Sequence, residues 1–211
     1  MGICHGPPSH SCHETHSRHL GPRRLGAGDS STGTFGGSTR CLPQTTQGSL
    51  VSLPSVRLAE LNITLPPVVP PVATYAPAVR TGNYVYVSGQ IPIADGIVLA
   101  TGKLGAQISV AQGAALTKQC ALNALAAIDS LVGIDHVRKV VKVVGFVASA
   151  PGFTEQSMVI NGASELLGEV FGEAGRHARS AVGVAELPLG VPVEIEMIVE
   201  VESIRTEVTF S

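Results

Sequence analysis

Arg179 opens the stretch RSAVGVAELPLGVPVEIEMIVEV, which runs to Val201 and carries Glu194, Glu196 and Glu200. An arginine presents a planar fork of donors that grips a carboxylate through two parallel hydrogen bonds. A glutamate beside the bound molecule can take a proton from water and turn that water into a nucleophile. The stretch reads as two strands joined by a Pro/Gly-bearing link. In the first, Arg179, Ala181 and Gly183 share a face, and the small residues leave room for a ligand beside the arginine. In the second, Val193, Ile195, Met197, Val199 and Val201 point one way and Glu194, Glu196, Ile198, Glu200 and Glu202 the other. A ladder of glutamates is ordinarily a solvated face, and that reading holds for Glu200 and Glu202. On pattern alone Arg179 is more often half of a structural ion pair than part of a reaction site.

Other residues carry weaker signals. Ser88-Gly89 ends a strand, where glycine lets a ligand or a neighbouring chain come close, or simply marks a bulge. Tyr75, in a Pro-rich run, reads as packing or a partner contact. Cys120 sits on a helix rich in Ala and Leu and reads as a small core residue. His136 and His177 flank elements without triad partners. Cys4, His5, His10, Cys12, His13, His16 and His19 match no closed zinc spacing. No Walker loop or GxGxxG is present, so no nucleotide cofactor is indicated.

The elements that must position these residues begin near residue 51. Residues 1–50 are dominated by Gly, Ser, His, Pro and Thr with no apolar period, the composition of a disordered leader. A second reading makes them a mis-called upstream extension, with Val51 the true start from a GTG codon. Residues 51–211 form one domain. SVRLAELNI predicts a short helix, LPPVVPPVATYAPAV an extended run, YVYVSGQIPI a strand, and ADGIVLATGKLG a turn with a short strand. Ser109 caps a helix whose stripe is Ala121, Leu125, Ile128 and Val132, stopped by Gly133. A Val-rich strand follows, then a helix over 153–171 with Val159, Ala163, Leu166 and Val170 as its stripe. The expected order is β-β-α-β-α-β-β, an α+β domain with two helices on one face of a mixed sheet.

Composition narrows the partners. The net charge is −2 and only 14% of residues are charged, which argues against a nucleic-acid surface. No apolar run reaches membrane-spanning length. Four cysteines, three of them in the first 41 residues, make no disulfide framework and fit a reducing cytoplasm. A mean hydropathy of +0.30 and an uncovered sheet face point to burial between copies of the chain.

GNYVYVSGQIPI and ARSAVGVAELPLGVPVEIE together resemble the two signatures of the RidA/YjgF family, also called endoribonuclease L-PSP, in a divergent bacterial branch. The resemblance covers about Leu65 to Glu202. It implies a chorismate-mutase-like α+β fold assembled as a homotrimer, with the sheets forming a central barrel and a cleft at each subunit interface. It also implies cofactor-free hydrolysis of reactive enamines and imines, such as 2-aminoacrylate and 2-iminobutyrate, to 2-keto acids and ammonia. Carried over by position, Arg179 is the carboxylate clamp and Glu194 the water activator. Tyr75, ahead of Gly82-Asn83 by the family's interval, is a site tyrosine, and Ser88 and Gly89 line the pocket. Ala181 departs from the best-known members, which place a cysteine there. Two other readings accompany this one: a non-catalytic trimer that binds 2-keto acids, and an endoribonuclease or translation inhibitor, which the charge disfavours.

Overall fold

The computed structural model describes residues 52–68 and 74–203, so the readings of 1–50 fall outside the described residues. Helix α1 (Pro54–Glu60) starts on a proline, whose fixed φ suits a first helical position. It is tied down by Ser55, whose backbone N–H and hydroxyl both donate to Asp135 at 2.8 and 2.7 Å. Strands β1 (Ala78–Thr81) and β2 (Tyr84–Gln90) form a hairpin across Gly82-Asn83. Strands β3 (Ile93–Ala94) and β4 (Ile97–Val98) make a separate ribbon about Asp95-Gly96, both at positive φ as a tight hairpin turn requires. Helix α2 (Val110–Val132) begins at Ser109 with a full capping box to Gln112 and stops at Gly133. Strand β5 (Val137–Ala148), helix α3 (Gln156–Phe171), strand β6 (Ala178–Val184) and strand β7 (Val193–Val201) complete the domain.

The main sheet has the order β1-β2-β7-β5-β6. Its β5–β6 pair is parallel and the others antiparallel, so the expected mixed α+β sheet is present. The element order differs from expectation at the start. Ala78–Thr81 is a strand that the neighbouring prolines concealed, and the short strand expected near Ile97 lies in the ribbon outside the main sheet. Helix α3 starts at Gln156 rather than 153, because Pro151-Gly152 make a turn and the Phe153 ring packs over Gly105.

The apolar stripes meet where the periods place them. Ala121, Leu125 and Ile128 of α2 are sealed from solvent, as are Val159 and Ala163 of α3 and Val193, Ile195 and Val199 of β7. Burial of this kind stabilises by about 1.5–3 kcal/mol per large side chain. The two long helices touch closely at Gly162, where an added Cβ would lie 2.0 Å from the Ala114 carbonyl oxygen. Thr117 Oγ1 donates across the same contact to the Val159 carbonyl at 2.8 Å. The face of the sheet away from the core bears Val79, Tyr86, Lys142, Val144, Glu196 and Ile198 around a shallow cavity of about 310 Å³. Val79 and Tyr86 are 54% and 46% exposed there. Among the described residues no helix is long and apolar enough to cross a membrane.

Candidate functional site

The six residues singled out by sequence fall into two groups. The first lies at the β2–β7 junction. The register slips between Val87 and Gln90, so Ser88-Gly89 forms a bulge opposite β7. The Ser88 hydroxyl donates to the Ala76 carbonyl at 2.7 Å, and its N–H to Pro77 at 2.9 Å. These bonds hold the segment carrying Tyr75, whose side chain is exposed, against the bulge. Glu194 lies over Gly89: a Cβ built there would sit 1.7 Å from Glu194 Oε1. Gly89 is therefore needed for the space it leaves the carboxyl.

Half-burial pushes the Glu194 carboxyl above the ordinary glutamate range, and the Glu196 charge two residues along adds to the shift. The same environment raises Cys120. Full burial is the main cause and the Glu194 charge the second, so the thiol stays neutral, as a core residue would.

The second group lies on β6, an edge strand. Arg179 is half-buried, and its Nη1 donates to Asn161 Oδ1 at 2.9 Å and to Ser164 Oγ at 3.0 Å, both on α3. Among the described residues Nε and Nη2 have no hydrogen-bond partner. Among the described residues Arg179 has no ion-pair partner; it is a cation held by the neutral groups Asn161 and Ser164. Ala181 shares its face and packs on the core, while an added Cβ on Gly183 would meet Gln156 Nε2 at 2.9 Å.

Within one chain the two groups stay apart. Arg179 pairs with Val143, which pairs with Met197; Glu194 pairs with Phe146. That register puts Glu194 about 10 Å along the sheet and about 10 Å across it from Arg179. They also face opposite ways, Arg179 toward α3 and Glu194, by strand parity, toward the uncovered face. Ser88, Gly89 and Glu194 come together, with the segment that carries Tyr75 tied to Ser88 through Ala76 and Pro77, and Arg179 and Ala181 form a separate half.

Sequence reasoning missed Asn161, Ser164 and the role of His177. The sequence offers His177 no triad partner; in the fold its Nε2 lies 3.1 Å from Ser164 Oγ and its Nδ1 2.6 Å from the Gly175 carbonyl. The available signal was Asn161 and Ser164 at i and i+3 on the polar flank of α3, just before the strand that carries Arg179. Among the described residues no His, Cys, Asp and Glu side chains group into a metal site.

This mixed sheet, with its long helices on one face and an arginine on the edge strand, defines a class that comparison with known proteins identifies. The family model "Endoribonuclease L-PSP" matches residues 67–201, and the chain belongs to that family, which is the RidA/YjgF family of the sequence motifs. Protein TCP17 of Trypanosoma cruzi is 45% identical over 151 residues, 71% of this chain and 94% of that protein. The crystal structure of Atu1372, a protein of unknown function from Agrobacterium tumefaciens, superposes with a TM-score of 0.66. It is 45% identical and covers 71% of this chain and 92% of its own. The mitochondrial protein MMF1 of Saccharomyces cerevisiae is 35% identical, over 61% of this chain and 76% of that protein. Equal identity to a trypanosome and a bacterial protein gives no preference for a bacterial branch.

Proposed function

We propose that the protein hydrolyses reactive 2-imino acids and their enamine tautomers, of the 2-aminoacrylate and 2-iminobutyrate type, to 2-keto acids and ammonia. The observation that carries this reading is the state of Arg179. Among the described residues its guanidinium is held through Nη1, which leaves the Nε/Nη2 edge for a carboxylate. Held there, an imino acid presents its imine carbon to a water. Glu194 takes a proton from that water as it attacks and passes it to the imine nitrogen, and the tetrahedral adduct collapses to the keto acid as its hydroxyl proton follows and the nitrogen leaves as ammonia. A carboxyl that titrates high is a stronger base than an ordinary glutamate, which suits the task.

The two half-sites lie too far apart to act on one small molecule within a chain. In this reading a homotrimer of chorismate-mutase-like subunits brings Arg179 of one copy to Tyr75, Gly89 and Glu194 of the next. The exposed apolar face of the sheet supports the assembly, because it gives the subunits a surface to bury. A cytoplasmic setting, where pyridoxal-phosphate dehydratases release such imines, fits the reading.

The test couples a dehydratase to the protein and follows keto-acid release. Arg179→Ala is expected to lower kcat/KM on the order of 10²-fold, the loss of a charge-assisted carboxylate contact. Arg179→Lys keeps the charge without the fork and should fall between. Release at the spontaneous rate with the wild-type protein would overturn the deaminase reading and leave a keto-acid binder. Cleavage of RNA by the same preparation, lost in Arg179→Ala, would favour the activity in the family's name.

A further inference from the structure

We propose that His177 and Ser164 are positioning residues that select which edge of Arg179 meets the substrate; the proposal rests on the clamp role given to Arg179 above. The hydrogen-bond directions follow from chemistry. A carbonyl oxygen only accepts, so the contact of His177 Nδ1 with Gly175 O at 2.6 Å puts the ring proton on Nδ1. In the neutral ring Nε2 is then a bare acceptor. The group facing it is Ser164 Oγ at 3.1 Å, so the serine hydrogen points to the ring. The serine lone pairs are left for the Arg179 Nη1 hydrogen at 3.0 Å. Its second hydrogen goes to Asn161 Oδ1 at 2.9 Å.

Both hydrogens of Nη1 are thereby committed. A carboxylate can be gripped in parallel only by the Nε/Nη2 edge. A serine inside a helix has a competing partner, the carbonyl four residues back, which for Ser164 is Ile160. His177 draws the hydroxyl away from that bond and toward the arginine. Without the ring, Arg179 has one fixed contact, to Asn161, and can swing to present either edge. His177 can do this because the turn over Gly172–Gly175 brings the chain back beside α3 immediately before β6. Gly175 is close enough to the Leu167 carbonyl, 2.2 Å from a built Cβ, that a larger residue would push the segment away. The open cavity beside these groups, about 330 Å³, is lined among the described residues by Ser164, Arg176, His177 and Arg179 and by no carboxylate.

The experiment uses the full chain. Long-range ¹H–¹⁵N spectra of the histidine rings, with His177 assigned by its loss in His177→Gln, should show the Nδ1–H tautomer. Kinetics with dehydratase-generated 2-iminobutyrate should show His177→Phe and Ser164→Ala raising KM about 3- to 10-fold with kcat little changed, since a misaligned clamp weakens binding throughout. His177→Gln, which returns an acceptor near Nε2, and Ser164→Thr, which keeps the hydroxyl, should restore KM. If His177→Phe fails to fold, Ser164→Ala and its threonine rescue carry the test. Pyruvate titration separates this proposal from the deaminase reading. A wild type that binds pyruvate without turning over imine, and whose His177→Phe variant binds it 3- to 10-fold more weakly, keeps the positioning role and removes the deaminase. A ring protonated on Nε2, or equal pyruvate affinity in wild type, His177→Phe and Ser164→Ala, overturns the proposal whatever the turnover.

Discussion

The Glu194 carboxyl gains a proton more readily in the fold than in the unfolded chain, because burial penalises its charge and Glu196 repels it. Between the ordinary carboxylate value and the raised one, the folded state therefore binds more protons, and stability falls as pH rises through that window. The cost is fully present above the raised value and absent below the ordinary one. Glu194→Gln is expected to melt slightly higher than wild type at neutral pH, and the gain should vanish as pH drops below the carboxylate range. A pH series of thermal melts checks it, and a gain that grows toward acid would contradict the assignment. The same variant should lose about 10²-fold in imine hydrolysis, the usual size of a general-base contribution. The acid limb of the wild-type rate profile should lie above the ordinary glutamate range. At this scale the period of two in β6 and β7 makes the faces of Arg179 and Glu194 legible in the sequence. The partners of Arg179 are not legible there, because strand period says nothing of which helix residues lie above an edge strand. The His177 contact depends on a turn whose path no local pattern encodes.

Arg179 is only as well placed as α3, which holds Asn161 and Ser164 above it. The position of α3 depends on its contact with α2. Gly162 lets the helices approach until an added Cβ would lie 2.0 Å from the Ala114 carbonyl and 2.9 Å from Thr117 Oγ1. Backbone cannot move aside as the tip of a side chain can. Gly162→Ala should destabilise the domain by about 1–3 kcal/mol, the range for overpacking, despite the better helix propensity of alanine. Since Asn161 is the adjacent residue, the shift should also raise KM in the imine assay. Chemical denaturation and steady-state kinetics on one preparation read both effects, and a stabilised variant would show that the contact is looser than the geometry says. The long elements are legible because caps and stripes agree: Ser109 and Gly133 bound α2, and of its stripe Ala121, Leu125 and Ile128 are sealed while Val132, at the helix end, is half-buried against the core. Ala78–Thr81 is not, because four residues behind a proline run carry too little alternation, and its pairing with β2 decides its state.

Among the described residues of a single copy, only one face of the sheet is covered. One row across the uncovered face runs from Val79 through Tyr86 and Ile198 to Lys142, each paired with the next. It is apolar except at its end. With 14% charged residues the chain has little polar surface to offset such a face, and the proposed assembly would bury it between copies. That need for cover is legible from the missing third helix stripe, whereas the number of copies comes only from the family resemblance. In the proposed trimer Tyr86 lies at the packed face while taking no part in the chemistry. Tyr86→Glu should cost an isolated subunit little, as a half-exposed strand position tolerates charge, but would place unpaired charges in the assembled interface. Light scattering should then find the wild type at three times the 21.7 kDa chain mass and the variant at one. If Arg179 and Glu194 act from different copies, the monomeric variant should lose imine hydrolysis nearly as fully as Arg179→Ala while keeping its circular dichroism. A monomeric wild type, or a monomeric Tyr86→Glu with full activity, would mean that one chain carries the whole site and that the separation of its two halves within the sheet is no obstacle to catalysis.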